Sequence, residues 1–326
     1  MSVAAQFSSA VLRINAAAEV DRLAAGIRNV LRDLRRRGVV VGLSGGIDSS
    51  VVAALAARAV GPQRVIGLML PESESSADSL VLAKQLADGL GLRTAVEDVG
   101  RTLEAAGCYR RRDEAVRTVV PEYSDGWRCK IVLPDLVSGS GYALYFVVVQ
   151  SPSGEERRVR LPLDAYLGVL AATNMKQRVR TLLEYTYADR YHFAVAGTPN
   201  RLEYDQGFFV KQGDGAADFK PIAHLYKSQV YQLAEHLGVP EAIRRRRPTT
   251  DTYPLEQSQE EFYFGLSLEQ TDLCLYARDH GVPPDLVGEA TGLTPEQVQG
   301  AFRMIDAKRE ATRYLHMAPI LFDGNP

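Results

Sequence analysis

Residues 42–50, GLSGGIDSS, put three glycines, three serines and one acid into a nine-residue stretch. Gly42, Gly45 and Gly46 let a backbone approach a ligand with no Cβ in the way. The N–H groups that open a following helix have no partner inside it, and the helix dipole adds positive potential there, so the stretch is suited to an anion. Ser44, Ser49 and Ser50 can add hydroxyl donors, and Leu43 and Ile47 complete the turn. The pattern lacks the lysine of GxxxxGK[ST], so a γ-phosphate clamp of that kind is not implied. Asp48 would repel phosphate unless a cation lay between them, and Mg²⁺ takes carboxylate and phosphate oxygens together. The chemistry expected of this turn is the binding of a magnesium-bound pyrophosphate group.

Such a turn needs a strand before it and a helix after it. Val39–Leu43 is a short β-branched run and reads as the strand, and Ser49–Val60 is Ala-rich and helical. Val65–Leu70 predicts a second strand, Ser75–Leu90 a second long helix and Thr94–Val99 a third strand. Ahead of them, Val20, Leu23, Ile27, Val30, Leu31 and Leu34 fall at helical spacing over 17–36. Strand and helix alternate at the spacing of parallel sheets. The expected fold is α/β, a doubly wound Rossmann-like parallel sheet with its site at the carboxyl ends of the strands. From Pro121 to Leu163 the alternation breaks. GYALYFVVVQ and RRVRLPL around SPSGEE predict two strands of a hairpin insertion, too short to bury a core of its own. Helical periodicity returns over 171–190. HFAVAGTPN (192–200) reads as another buried strand, and Lys227–Leu237 as a helix closed by Gly238. Helices are expected over 268–280, 283–291 and 295–315. The chain is read as one domain, 1–326, with the insertion at 121–163 and a helical C-terminal extension at 268–326.

Composition excludes several function classes. Of 326 residues, 46% are hydrophobic and 24% charged, with a formal net charge of −2, so no global field calls for nucleic acid or an anionic membrane. No apolar run approaches the roughly 18–20 residues of a membrane span, and no secretory leader is read at the N-terminus. Cys108, Cys129 and Cys274 lack CxxC spacing, which argues against a disulfide framework or zinc site and for a reducing cytoplasm. PPDLVGEATGLTPEQVQGAFRM (283–304) has the outline of a helix-turn-helix, but its second helix offers one Arg and no Lys. The arginine runs 35–37, 110–112 and 244–247 read as solvated faces before they read as nucleic-acid patches, and the aromatics of EEFYFGL (260–266) as core or interface.

SGGIDSS matches the SGGxDS signature of the ATP pyrophosphatase family, which cleaves ATP between its α- and β-phosphates and transfers AMP to an oxygen acceptor. NMKQRVR (174–180), AGTPNRLEYDQGFFVKQGDGAADFKPIAHLYKSQVYQLAEHLGVP (196–240) and RPTTD (247–251) together resemble NAD synthetase within that family. The resemblance implies ATP and Mg²⁺, with deamido-NAD and ammonia as the joined substrates. It implies Asp48 and Glu203 as magnesium ligands, and Thr198, Thr249 and Lys227 as further ATP contacts beside the glycine turn. Asn174, Arg178, Lys211 and Asp218 would hold the acceptor, and Asp214 would stand near the incoming ammonia. Asp48, Asp214 and Lys227 are thus the implied catalytic set. The family's C-terminal basic pair is replaced by Arg313 and Tyr314, with His316 nearby. Pro199, Leu202 and Val210 also depart from the pattern, so a different carboxylate acceptor remains an alternative, as does a tRNA-modifying relative. The glutamine-hydrolysing forms carry an added N-terminal domain with a Cys nucleophile. None is read here, so the ammonia is expected to be free or supplied by a separate glutaminase. A homodimer and a cytoplasmic setting are implied by resemblance.

Overall fold

The computed structural model describes residues 7–132, 145–249, 253–255, 257, 259 and 265–322. Four strands, β1 (Val39–Gly42), β2 (Val65–Met69), β3 (Arg93–Val96) and β7 (Ala194–Val195), form a parallel sheet in the order β3-β2-β1-β7. Between and after them run α1 (Ala16–Asp33), α2 (Ile47–Val60), α3 (Ala77–Leu90), α4 (Gly100–Ala105), α5 (Cys108–Arg117) and α6 (Leu163–Tyr191). Alternate strand residues face opposite ways. Val39, Val41, Val65 and Met69 join the core with α1 and α2. Val40, Ile66 and Leu68 join a second core with α4, α5 and α6. Both faces of the sheet are therefore covered, which is why its strands read as continuous apolar runs.

A second sheet is antiparallel, β4 (Arg128–Val132), β5 (Phe146–Gln150) and β6 (Glu156–Arg160) in that order. The hairpin reading foresaw β5 and β6 but left β4 as irregular chain. RCKIV is short and half polar, and only pairing with β5 makes it a strand. Cys129, Ile131, Val147 and Val149 turn inward onto Val116, Val120 and Tyr123 from the α5 side and Ala165 and Val169 from α6. The sheet thus borrows its core from two helices. Gly141–Leu144 of the expected first strand lie outside the described residues, as do residues 260–264 of EEFYFGL.

Helix α6 begins at Leu163, eight residues before the expected start, with Pro162 at its N-cap. Proline's fixed φ suits the entry to a helix. The strand expected over 192–200 is only two residues long, continued by a single bridge from Ala196 to Phe219. Then follow α7 (Arg201–Asp205), α8 (Lys227–His236), α9 (Glu241–Arg245), α10 (Leu268–His280), α11 (Pro284–Thr291) and α12 (Pro295–His316). Val298, Ala301 and Ile305 of α12 pack with Leu273, Leu275 and Ala277 of α10 and with Leu202 and Tyr226. The supposed recognition helix is therefore committed to a core, and that same core docks α10–α12 beside α7 and α8.

Candidate active site

The glycine turn leaves the carboxyl end of β1 and enters α2. Gly45 has φ +75°, and a Cβ there would stand 2.3 Å from the Ser79 carbonyl oxygen. A Cβ on Gly42 would stand 2.3 Å from Glu184 Oε1. Glycine is thus required at Gly45 by the backbone of a neighbouring segment, while at Gly42 the end of the Glu184 side chain alone stands in the way. Gly46 caps α2 without any side-chain hydrogen bond, so the first N–H groups of that helix are left for a ligand. The serines divide their work. Ser44 and Ser49 line the cavity beyond the turn, and the buried Ser49 hydroxyl also donates to the Gly46 carbonyl at 3.1 Å. Ser50 is buried, and its hydroxyl donates to the Gly46 carbonyl at 2.7 Å. Ser50 therefore braces the turn and is no donor to a ligand.

That cavity holds about 670 Å³. Besides Gly42, Leu43, Ser44, Gly46, Ile47, Asp48 and Ser49 of the turn, its walls include Thr198, Glu203, Lys227 and Thr249. Asn174, Arg178, Lys211 and Asp214 line it as well. Two predicted site residues do not. Gly45 turns toward Ser79, and the Asp218 carboxylate accepts a hydrogen bond from the Val195 N–H at 2.8 Å, which ties its loop to β7.

Asp48 stands in the first turn of α2, and Lys227 opens α8. Lys227 Nζ donates to Asp48 Oδ2, and Asn200 Nδ2 donates to Asp48 Oδ1 at 3.0 Å. Asn200 is also the N-cap of α7. Its Oδ1 accepts from the Glu203 N–H at 3.2 Å, while Glu203 Oε2 accepts from the Asn200 N–H at 3.1 Å. This reciprocal capping box positions Glu203, and Gln259 Nε2 donates to its other oxygen at 2.8 Å. Burial raises the Glu203 carboxyl well above the usual carboxylate range, and the Asp48 charge adds to the shift. Burial alone would lower the Lys227 ammonium, but Asp48 and Glu203 more than offset that and hold it charged. Asp272 fixes the start of α8 by accepting from the N–H groups of Lys227 and Ser228 at 3.1 and 2.7 Å.

A second acidic group lies further along the cavity. Asp214 is open to the cavity's solvent yet ringed by protein. That desolvation raises its carboxyl to about 6, against the hydrogen bond from the Val210 N–H at 2.7 Å. Glu184, which abuts Gly42, is pushed up to about 7 by burial and then by the Asp214 charge, with Arg180 opposing. Arg178 Nε donates to the Lys211 carbonyl at 3.3 Å, and Lys211 Nζ to the Tyr314 carbonyl at 2.7 Å. Lys176, between Asn174 and Arg178, faces away. It is buried against Glu72 and Glu74 at 2.9 and 2.6 Å, and so pins the loop after β2.

These two acidic centres share one cavity with an anion-binding turn, an arrangement made for activating a carboxylate with a nucleotide. The NAD synthase family matches residues 19–120 and 163–313 of this sequence. The chain belongs to the NAD synthase family. An NH(3)-dependent NAD(+) synthetase of Rhizobium meliloti is 58% identical over 315 residues, 97% of this chain and 94% of that protein. One from Thermotoga maritima is 33% identical over 299 residues, 91% and 96% of the two chains. The solved structure of an NH3-dependent NAD synthetase from Campylobacter jejuni shares the fold, with a TM-score of 0.62 over 95% of this chain and all of that one, at 21% identity. The family match passes over 121–162, the segment that holds the antiparallel sheet.

Several residues of the cavity carry no clear signal in the sequence. Glu184 carries no motif and looks like any polar residue of a long helix. Its signal is position, since it stands ten residues after Asn174 on the helix that lines the cavity. Gln259 is a lone amide in a polar loop and gave no signal. At the C-terminus, the residues proposed to replace the basic pair separate. Tyr314 lines the cavity and Arg313 does not, while His316 stands edge-on to Tyr204 and Phe209. The cation that α12 does bring to the cavity is Lys308, whose amine burial lowers to about 7.

Proposed function

We propose that this chain joins ammonia to the nicotinate carboxyl of deamido-NAD at the expense of ATP, releasing NAD, AMP and pyrophosphate, as a carbon–nitrogen ligase. The observation that carries the reading is the convergence of Asp48 and Lys227, 179 residues apart, on the helix N-terminus of the glycine turn. A carboxylate has no useful leaving group, so one of its oxygens attacks the α-phosphorus of ATP and pyrophosphate leaves. The α2 N-terminus and Lys227 neutralise the departing pyrophosphate, a charge-stabilising task suited to fixed dipoles and a buried cation. Ammonia then attacks the acyl carbon and AMP leaves. Asp214, with its carboxyl near 6, is ionised at neutral pH and takes the proton shed by ammonium. Arg178 and Lys211 hold the phosphates of the acceptor, and Thr198 and Thr249 hold ATP.

Magnesium fits the Asp48–Glu203 pair. Both are hard oxygen donors that line one cavity, and Asn200 bonds to both. Bound there, the cation would neutralise phosphate oxygens as charge moves onto them. Among the described residues no group of three or more His, Cys, Asp or Glu is arranged for a metal, so substrate phosphates would complete the coordination.

The chain acts as one unit, with 121–163 as an insertion and 268–326 as a helical extension. It works as a homodimer: Leu163, Leu167 and Leu182 of α6 are exposed and lie within about 100° of one another around the helix. Its three cysteines are free and buried, and burial raises their thiols. None is thus an activated nucleophile, which supports use of free ammonia or ammonia from a separate glutaminase, in the cytoplasm. Among the described residues no helix is long and apolar enough to cross a membrane. The test is product stoichiometry with ATP, Mg²⁺, ammonium and deamido-NAD. Equal NAD, AMP and pyrophosphate are expected; ADP with phosphate, or AMP without NAD, would contradict the reading.

A further inference from the structure

Among its described residues, the segment outside the family match sends one side chain to the reaction cavity. Tyr145, just ahead of β5, stacks on Tyr166 in the first turn of α6, with ring centroids 3.8 Å apart and planes 11° from parallel. Both rings line the cavity and both are half-buried. The pair also packs against the core of the antiparallel sheet, whose Val147 and Val149 are fully buried, so the rings lie between that core and the cavity.

The backbone holds each ring in place. The Leu161 N–H donates to the Tyr145 carbonyl at 2.9 Å, and the Tyr166 N–H to the Pro162 carbonyl at 3.0 Å. Along α6, Tyr166, Leu170, Asn174, Thr181 and Glu184 line the same cavity. At 1.5 Å per residue, Tyr166 and Glu184 are about 27 Å apart along the helix. Glu184 abuts the phosphate turn at Gly42, so the tyrosine pair stands at the far end of that wall. A nucleotide whose phosphates are anchored toward the turn extends its flat rings away from it, and aromatic faces accept any such ring.

We propose that Tyr145 and Tyr166 form a stacking platform for a flat heteroaromatic ring of a bound nucleotide substrate, so that the 121–162 segment contributes directly to substrate affinity. The proposal rests on the nucleotide-ligase reading above. Both substrates of that reaction carry such rings, the adenine of ATP and the bases of deamido-NAD.

The experiment measures KM for ATP and for deamido-NAD in the wild type, Tyr145→Ala, Tyr145→Leu, Tyr145→Phe and Tyr166→Ala, with Arg158→Ala on the outer face of the sheet as a control. Loss of one stacking face is expected to raise one KM by about five- to 150-fold with kcat nearly unchanged. Tyr145→Phe should retain affinity and Arg158→Ala should alter neither KM. A rise confined to ATP assigns the ring to adenine of ATP, and a rise confined to deamido-NAD assigns it to the acceptor. Tyr145→Leu keeps the apolar bulk, so it reads stacking even if Tyr145→Ala fails to fold. Unchanged KM values in Tyr145→Leu, or a Phe variant as impaired as Ala, would overturn the platform. A wild type that forms no NAD would instead overturn the functional reading.

Discussion

The two sheets of this protein use the same local geometry to different ends. The parallel sheet is covered by helices on both faces, and its strands carry apolar residues in both directions. Nothing of its surface is left for binding, so the site forms where strands end and loops from distant parts of the chain meet. Asp48, Asn200 and Lys227 come together there. The antiparallel sheet buries one face only. Its other face carries Arg128, Lys130, Arg158 and Arg160 from β4 and β6, with the Arg158 guanidinium 4.1 Å over the Phe146 ring. It meets the cavity through Tyr145 alone among its described residues. The family match includes the first sheet and passes over the second. Reaction chemistry and substrate affinity are thus divided between two layers, and that division can be broken by mutation.

The largest effect is expected at the meeting point of the parallel layer. Lys227→Met should lower kcat by about 10²–10³-fold, the size seen when one transition-state charge stabiliser is removed. NAD formation at saturating substrate measures it, and a loss under about tenfold would remove Lys227 from the machinery. Asp214→Asn should follow, with a loss of about 10²-fold. In the wild type, activity should rise with pH through 6 to 7, because the proton acceptor works only when ionised and its carboxyl stands at about 6 beside Glu184 at about 7. That rise should vanish in Asp214→Asn.

Legibility in the sequence divides along the same line. The glycine turn with Asp48 and Val39–Leu43 were readable because a buried parallel strand and a phosphate turn permit few residue types, whereas Glu203 and Lys227 were legible only through the motifs that resemble the family. Tertiary packing hid the remainder. Gly42 reads as a ligand contact, yet the end of the Glu184 side chain also stands against it, and nothing in the local pattern of α6 points to Glu184. The start of α6 was obscured because Pro162 follows a strand directly. RCKIV has too little apolar alternation to announce β4 without its partner. Asp218 sits in a recognisable motif, but its carboxylate is spent on the Val195 N–H.

The antiparallel layer should respond in stability and not in turnover. Ile131→Ala, at a buried position, should destabilise by about 2–5 kcal/mol in thermal unfolding while kcat at saturating substrate is kept. A matching fall in kcat would show that the sheet shares in the chemistry. Glu184→Gln sharpens the comparison from the other side. Its folded carboxyl at about 7 exceeds the unfolded value of about 4.3. The folded state therefore holds a proton the unfolded state releases, and stability falls as pH rises between those values. The Gln variant should melt about 2–4 °C higher than wild type at pH 8, with a smaller gain at pH 5. Arg158→Ala, on the solvated face, should change stability by less than about 0.5 kcal/mol.

The central claim is that this cavity activates a carboxylate by transferring AMP to it. Deamido-NAD labelled with ¹⁸O in its nicotinate carboxyl tests that most directly, with mass analysis of every product. The account predicts one labelled oxygen in AMP and none in pyrophosphate, since the carboxylate oxygen that attacks the α-phosphorus leaves with AMP when ammonia displaces it. Unlabelled AMP, or label appearing in inorganic phosphate beside ADP, would contradict it.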